Sequence, residues 1–184
     1  MQLISACKFY RAAAMHFVVV ISVASLILLL IDRAKAAAII IVAIGASNTS
    51  GWGVGLQHAF PTIIEATLRA RGYDVQVIDA GIPLDTTAAT LARLNTTVPN
   101  GTRLVIIDQT TADPIYEVSQ AQSKANFRAM VGSLRSRNIK SVLADLRPIY
   151  SRGFVQPDRI HLSARGHYAA AAMLLPQIIA AINK

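Results

Sequence analysis

The chain has 184 residues, enough for one domain behind an N-terminal segment and too few for a second core. Its 53% apolar and 15% charged content excludes a disordered chain, and its one cysteine, Cys7, excludes disulfides and cysteine metal sites. The formal net charge is +8, and without residues 1–36, which hold Lys8, Arg11, Arg33, Lys35 and Asp32, 14 basic and 9 acidic side chains remain, a net +5. That surplus suits anionic lipid or polysaccharide, yet Arg135, Arg137 and Lys140 have the pattern of a solvated helix end. No groove-entering motif or aromatic-basic interleaving points to nucleic acid.

In chain order, Lys8 and Arg11 precede an uncharged run from Phe17 to Ile31, which Asp32-Arg33-Ala34-Lys35-Ala36 ends. The order basic, apolar, small is that of an export signal, with cleavage expected near Ala36 because Ala34-Lys35-Ala36 is small-x-small. An uncleaved segment 12–31 would instead associate with the membrane as an anchor. Either way the rest of the chain is expected outside the cytoplasm, periplasmic or secreted.

From Ala37 short apolar runs alternate with amphipathic segments, which predicts βα units and a mostly parallel sheet. Strands are expected at Ile39 to Ile44, Val75 to Asp79, Arg103 to Ile107 and Ser141 to Asp145. Helices are expected at about Ala59 to Arg71, Thr86 to Leu94, Gln120 to Arg137 and Ser163 to Ile182, with Pro176 a candidate kink. Right-handed crossovers then give a three-layer α/β/α sandwich with a short sheet of four to five strands. In such sheets ligands collect beyond the carboxyl ends of the strands, where Ser47, Leu84, Ala112 and the Pro148 to His161 loop fall. Between the fourth strand and Asp158 there is little length for a further helix and a fifth strand.

A serine hydroxyl becomes a useful nucleophile when an imidazole takes its proton, and the imidazole needs a carboxylate to fix its tautomer. Ser47 directly follows the first strand, in Gly45-Ala46-Ser47-Asn48. Asp158 and His161 are three residues apart on the loop entering the last helix, so one loop can supply orienter and base. The plainer readings are a polar turn for Ser47 and a solvated helix entry for Asp158 and His161. His167 reads as partly buried on the final helix and His58 as structural; the histidines have no metal-like spacing. Gly51, Gly53 and Gly55 lack the Lys-Ser/Thr of a phosphate-binding loop and read as freedom around the serine.

Together, Gly45-Ala46-Ser47-Asn48-Thr49-Ser50-Gly51 and Asp158-Arg159-Ile160-His161-Leu162-Ser163-Ala164-Arg165-Gly166-His167 resemble the SGNH hydrolases, or GDSL-type esterases, over nearly everything from Ile39 onward. The stretch Asp79-Ala80-Gly81-Ile82-Pro83-Leu84-Asp85-Thr86-Thr87 is similar to that family's Asn-Ala-Gly-x-Ser-Gly-Asp-Thr. The resemblance implies a flavodoxin-like fold, no cofactor, Ser47 as nucleophile, His161 as base and Asp158 as its orienter. It also marks departures: Ala46 stands where an aspartate is usual, Leu84 at the oxyanion-binding glycine and Ala112 at the oxyanion-binding asparagine. Leu84 keeps an N–H if its backbone tolerates a Cβ, whereas Ala112 has no side-chain donor; Gln109, Thr110 and Thr111 are candidate substitutes.

Two functions follow. One is an exported esterase or thioesterase acting on a small-molecule, lipid or glycan ester through an acyl-serine; the other is a catalytically weakened relative that binds a lipid, glycan or protein partner in the same cleft. The short chain before Asp158 implies an open cleft, suited to small acyl groups or an exposed polymer-linked ester.

Overall fold

Four runs rich in Ile, Val and Leu form the sheet, because branched side chains suit strands covered on both faces. They are β1 (Ile39–Gly45), β2 (Val75–Gly81), β3 (Thr102–Asp108) and β4 (Lys140–Ala144), all parallel, in the order β2-β1-β3-β4. The structure, a computed structural model, describes residues 38–183. The expected export or anchor segment and the run 12–31 lie outside the described residues.

Because side chains alternate across a strand, each strand feeds both layers. Ile41, Ala43, Leu104 and Ile106 face helices α1 (Phe60–Ala70) and α5 (Ala164–Ile182), where Ile64, Leu68, Leu174 and Ile178 meet them. Val42, Ile44, Val105 and Ile107 face α2 (Thr87–Thr97) and α3 (Gln120–Ser136), packing on Leu94, Met130 and Leu134. The result is a three-layer α/β/α sandwich with four strands in its sheet. Thr86, Ser119 and Ser163 cap α2, α3 and α5, each side chain accepting a first-turn N–H, an arrangement contributing about 1 kcal/mol per helix.

Several boundaries differ from the sequence expectation. Strand β2 runs on to Gly81 and α2 to Thr97, and β4 stops at Ala144. Asp145 turns away from the sheet because its carboxylate takes the backbone N–H of Arg147 at 3.1 Å and its guanidinium. That contact, with Pro148 in the first turn, starts a one-turn helix α4 (Arg147–Tyr150) in a stretch expected to have little length for a further helix. Helix α5 continues through Pro176 as one element. His167 is fully buried rather than partly so: its Nδ1 accepts the Phe60 N–H at 3.2 Å, supplying α1 with the acceptor that its own N-cap, Ala59, lacks. Burial pushes the His167 imidazole down to about 4.

The strand order reverses between β1 and β3, so the crevice at the carboxyl ends of those two strands is the topological switch point. Two glycines let the loop after β1 settle there. A Cβ on Gly45 would overlap Asp108 and Thr49, and one on Gly81 would overlap the backbone of Thr49 and Ser50.

Asp79, on β2, accepts the Gly81 N–H at 2.9 Å through one oxygen, while its other oxygen is buried without a hydrogen-bond partner. Burial raises this carboxyl to about 6, against an unfolded value of 3.8. The folded state therefore holds its proton more tightly, and the contribution of Asp79 to stability falls as pH rises from about 4 to about 6. Asp79→Asn keeps the acceptor and removes the titration. The variant is expected to match the wild type near pH 4 and to exceed it by about 1–2 kcal/mol above pH 7, discounted for partial exposure, in urea unfolding at both pH values.

Candidate active site

Beyond Gly45 the chain turns tightly, the Ser47 carbonyl accepting the Trp52 N–H and the Ser50 hydroxyl, each at 3.0 Å. This turn exposes the Ser47 Oγ at the switch point, 3.0 Å from His161 Nε2. On the far side of the ring, His161 Nδ1 lies 2.7 Å from Asp158 Oδ2, while Asp158 Oδ1 accepts the N–H groups of Ile160 and His161 at 2.9 and 3.0 Å. The His161 hydrogen bond, followed by these two N–H groups, pulls the Asp158 carboxyl down to about 2. An ionised Asp158 assigns the proton to Nδ1 and leaves Nε2 free to accept from Ser47. The three side chains are therefore in one hydrogen-bonded line although Ser47 and His161 are 114 residues apart.

The His161 loop is rigid for local reasons. Val155 and Leu162 form an antiparallel bridge, Gln156 N–H donates to the His161 carbonyl at 2.7 Å, and the Gln156 amide donates to the carbonyls of Trp52 and Leu162. Trp52 stands over His161 with ring centroids 6.0 Å apart.

The positions marked for oxyanion binding separate clearly. Leu84 lines the same cavity as Ser47 and has φ +65°, the left-handed conformation natural to glycine, so the backbone of a glycine is kept by a leucine at a cost of about 1 kcal/mol. Ala112 also lines it, but its N–H donates to the Asp85 carbonyl at 3.0 Å. The Thr110 hydroxyl donates to Asp108 at 2.7 Å, and Gln109 lines a different cavity, together with Lys124 and Arg147. Thr110 and Thr111 both line the Ser47 cavity, but the Thr111 oxygen only accepts, weakly, from the Asp113 N–H at 3.4 Å, which leaves its O–H proton uncommitted among the described residues. Among the described residues no group of side chains could hold a metal ion.

Beneath the cavity lies Asp108 at the end of β3, fully buried, accepting from Thr49 and from both the N–H and the hydroxyl of Thr110. Burial pushes it up to about 6, with those hydrogen bonds opposing. Asp85 joins Thr90 and Arg93, and Arg93 reaches the carbonyls of Gly45 and Ala80, tying the ends of β1 and β2 together. Asp113 takes the N–H and hydroxyl of Thr87 at 2.7 and 2.8 Å, fixing the start of α2.

A doubly wound sheet with Ser, His and Asp aligned at its switch point defines a serine hydrolase-like protein. The GDSL-like lipase/acylhydrolase family model matches residues 43–173, and the chain belongs to that family. Esterase TesA of Pseudomonas aeruginosa is 26% identical over 125 residues, spanning 66% of this chain and 62% of the relative's length. Among solved structures, a crystal structure of TesA superposes with TM-score 0.68 at 20% identity, covering 77% of this chain and 99% of the other. Psychrotrophic esterase EstA from Pseudoalteromonas, inhibited by monoethylphosphonate, superposes with TM-score 0.69 at 14% identity, covering 79% and 99%.

Sequence reasoning did not single out Asn48, Trp52, Arg93, Ile115, Tyr150 or Ile160, all of which shape the site. Their patterns are those of ordinary turn and helix residues; only the fold brings them together. Thr110→Val would leave buried Asp108 short of one donor, and is expected to lower stability by about 1–3 kcal/mol in thermal unfolding.

Proposed function

We propose that the chain is a serine esterase or thioesterase that cleaves small, apolar carboxylic esters through an acyl-Ser47 intermediate. The observation that carries the reading is the Ser47-His161-Asp158 line opening into a cavity of about 350 Å³. His161 Nε2 takes the Ser47 proton as Oγ attacks the ester carbonyl, and Asp158 steadies the imidazolium. The developing oxyanion meets the N–H groups of Ser47 and Leu84, with the Thr111 hydroxyl in place of the family's asparagine. Collapse expels the alcohol or thiol, which takes the proton from His161. Water, deprotonated by the same imidazole, then releases the acid and restores Ser47.

The volume lies at the small end of ligand cavities and supports short acyl or aryl groups. Trp52, Leu84, Ile115 and Ile160 line it and are each more than half exposed, an apolar mouth that favours alkyl and aryl esters over a glycan ester. The strained Leu84 supports the same reading, since glycine would serve the backbone and only the side chain accounts for leucine there. The basic, apolar, small order of residues 1–36 supports export, and an uncleaved 12–31 run would hold the enzyme at the membrane.

Ser47→Ala is expected to abolish hydrolysis of p-nitrophenyl acetate and labelling by an alkyl fluorophosphonate, which loses fluoride as Oγ bonds to phosphorus; a wild type inert to both would leave a binding protein. Thr111→Val is expected to lower kcat by about 10- to 100-fold with little change in KM, steady-state kinetics being the readout, because the lost donor acts on the oxyanion. Leu84→Gly should relieve the left-handed strain, raising or preserving Tm, while it raises KM several-fold more for p-nitrophenyl hexanoate than for the acetate.

A further inference from the structure

His161 sits between two peptide groups, and both are tied to the residue that follows Ser47. On one side the Leu162 N–H donates to Asn48 Oδ1 at 2.9 Å. On the other, Asn48 Nδ2 donates to the Tyr150 hydroxyl at 2.6 Å, and that hydroxyl donates to the Ile160 carbonyl at 2.8 Å. The second proton of Nδ2 goes to Thr110 Oγ1 at 3.2 Å, whose own proton goes to Asp108. Every proton has one direction through this network, and the Asn48 amide has one workable orientation. A flipped amide would set its NH2 against the Leu162 N–H and leave Tyr150 and Thr110 facing an oxygen while their own protons are already committed.

We propose that Asn48 is a positioning residue which, directly and through Tyr150, clamps both peptide bonds flanking His161 and so sets the imidazole against Ser47. The inference rests on the acyl-serine reading above, in that the clamped pair is the one that transfers the proton. Asn48 is 4% exposed and is the residue next to the nucleophile, so displacement of one reacting group is transmitted to the other by a single side chain. Gln156 braces the same loop, its amide on the carbonyls of Trp52 and Leu162 and its N–H on the His161 carbonyl, and Asp158 takes the His161 N–H, but the Ile160 carbonyl and the Leu162 N–H are left to this network. A hydrophobic residue at position 48 would strand the Leu162 N–H, which is buried with it.

The test compares the full chain, Asn48→Ala, Tyr150→Phe and the double variant, each held well below its own Tm. Three readouts are taken: p-nitrophenyl acetate kinetics, the rate of labelling by an alkyl fluorophosphonate, and the downfield Nδ1–H proton resonance of His161. Asn48→Ala is expected to lower kcat and the labelling rate together by about 10- to 100-fold with KM within about twofold, as sub-ångström misplacement of reacting groups does. Tyr150→Phe, which removes one oxygen and keeps the fold if Asn48→Ala does not, is expected to lose about 3- to 10-fold. The double variant is expected to be no slower than Asn48→Ala, because Tyr150 acts through the same link. The His161 resonance is expected to broaden or vanish in each variant although Asp158 and Ser47 are intact. Folded variants with kcat within twofold of wild type would overturn the proposal, as would a loss of kcat with labelling and the His161 resonance unchanged. A wild type inert to ester and phosphonate fails the acyl-serine reading alone, since the His161 resonance still reports whether Asn48 holds the ring.

Discussion

The site depends on the parallel pairing of β1 with β3. These two buried strands run side by side to the point where the sheet changes direction, and each ends in a residue that the crevice needs: Gly45, whose bare Cα lets the serine turn pass, and Asp108, which receives that turn. Asp108 takes Thr49 from one loop and Thr110 from the other, so a buried carboxyl fastens the ends of both strands. Its burial raises its pKa, and the three donors around it are what make the position tolerable.

From that anchor the loops are joined in series by polar side chains. Arg93 links the ends of β1 and β2 with Asp85, the Asp85 carbonyl receives Ala112, and Asp113 fixes the start of α2. Such contacts are costly to leave half-made, which explains why the loops of a four-stranded sheet can still hold Ser47, His161 and Asp158 at hydrogen-bond distance. Asp158 illustrates the contrast with Asp108. Held by His161 and two N–H groups in an exposed loop, it is stabilised as an anion, whereas Asp108 is pushed toward its neutral form by burial. Two carboxylates near one serine thus differ by environment, with only Asp158 in line with the imidazole.

The departures from the family's motifs have a common direction. Leu84 stands where the resembled motif has glycine and keeps a left-handed backbone, and Ala112 stands where it has asparagine, its N–H donating to the Asp85 carbonyl. Both changes replace polar or bare surface by apolar surface at the cavity, alongside Trp52, Ile115 and Ile160.

The sequence by itself determined the layered α/β fold, because alternating and continuous apolar runs of Ile, Val and Leu allow few other burials, and it located the crevice at the strand ends. It also marked Ser47, Asp158 and His161, since a nucleophile after the first strand and a base paired locally with its orienter leave short, ordered signals. Only the tertiary structure decided which of Gln109, Thr110 and Thr111 keeps an uncommitted hydroxyl at the serine's cavity, that Leu84 keeps a glycine's backbone, that Arg147–Tyr150 forms a turn of helix, and that Asn48 and Tyr150 bond to the Leu162 N–H and the Ile160 carbonyl on either side of His161. The reason is physical: a backbone pattern is written in neighbouring residues, whereas the partner of a buried hydroxyl or amide is chosen by loops up to 114 residues apart.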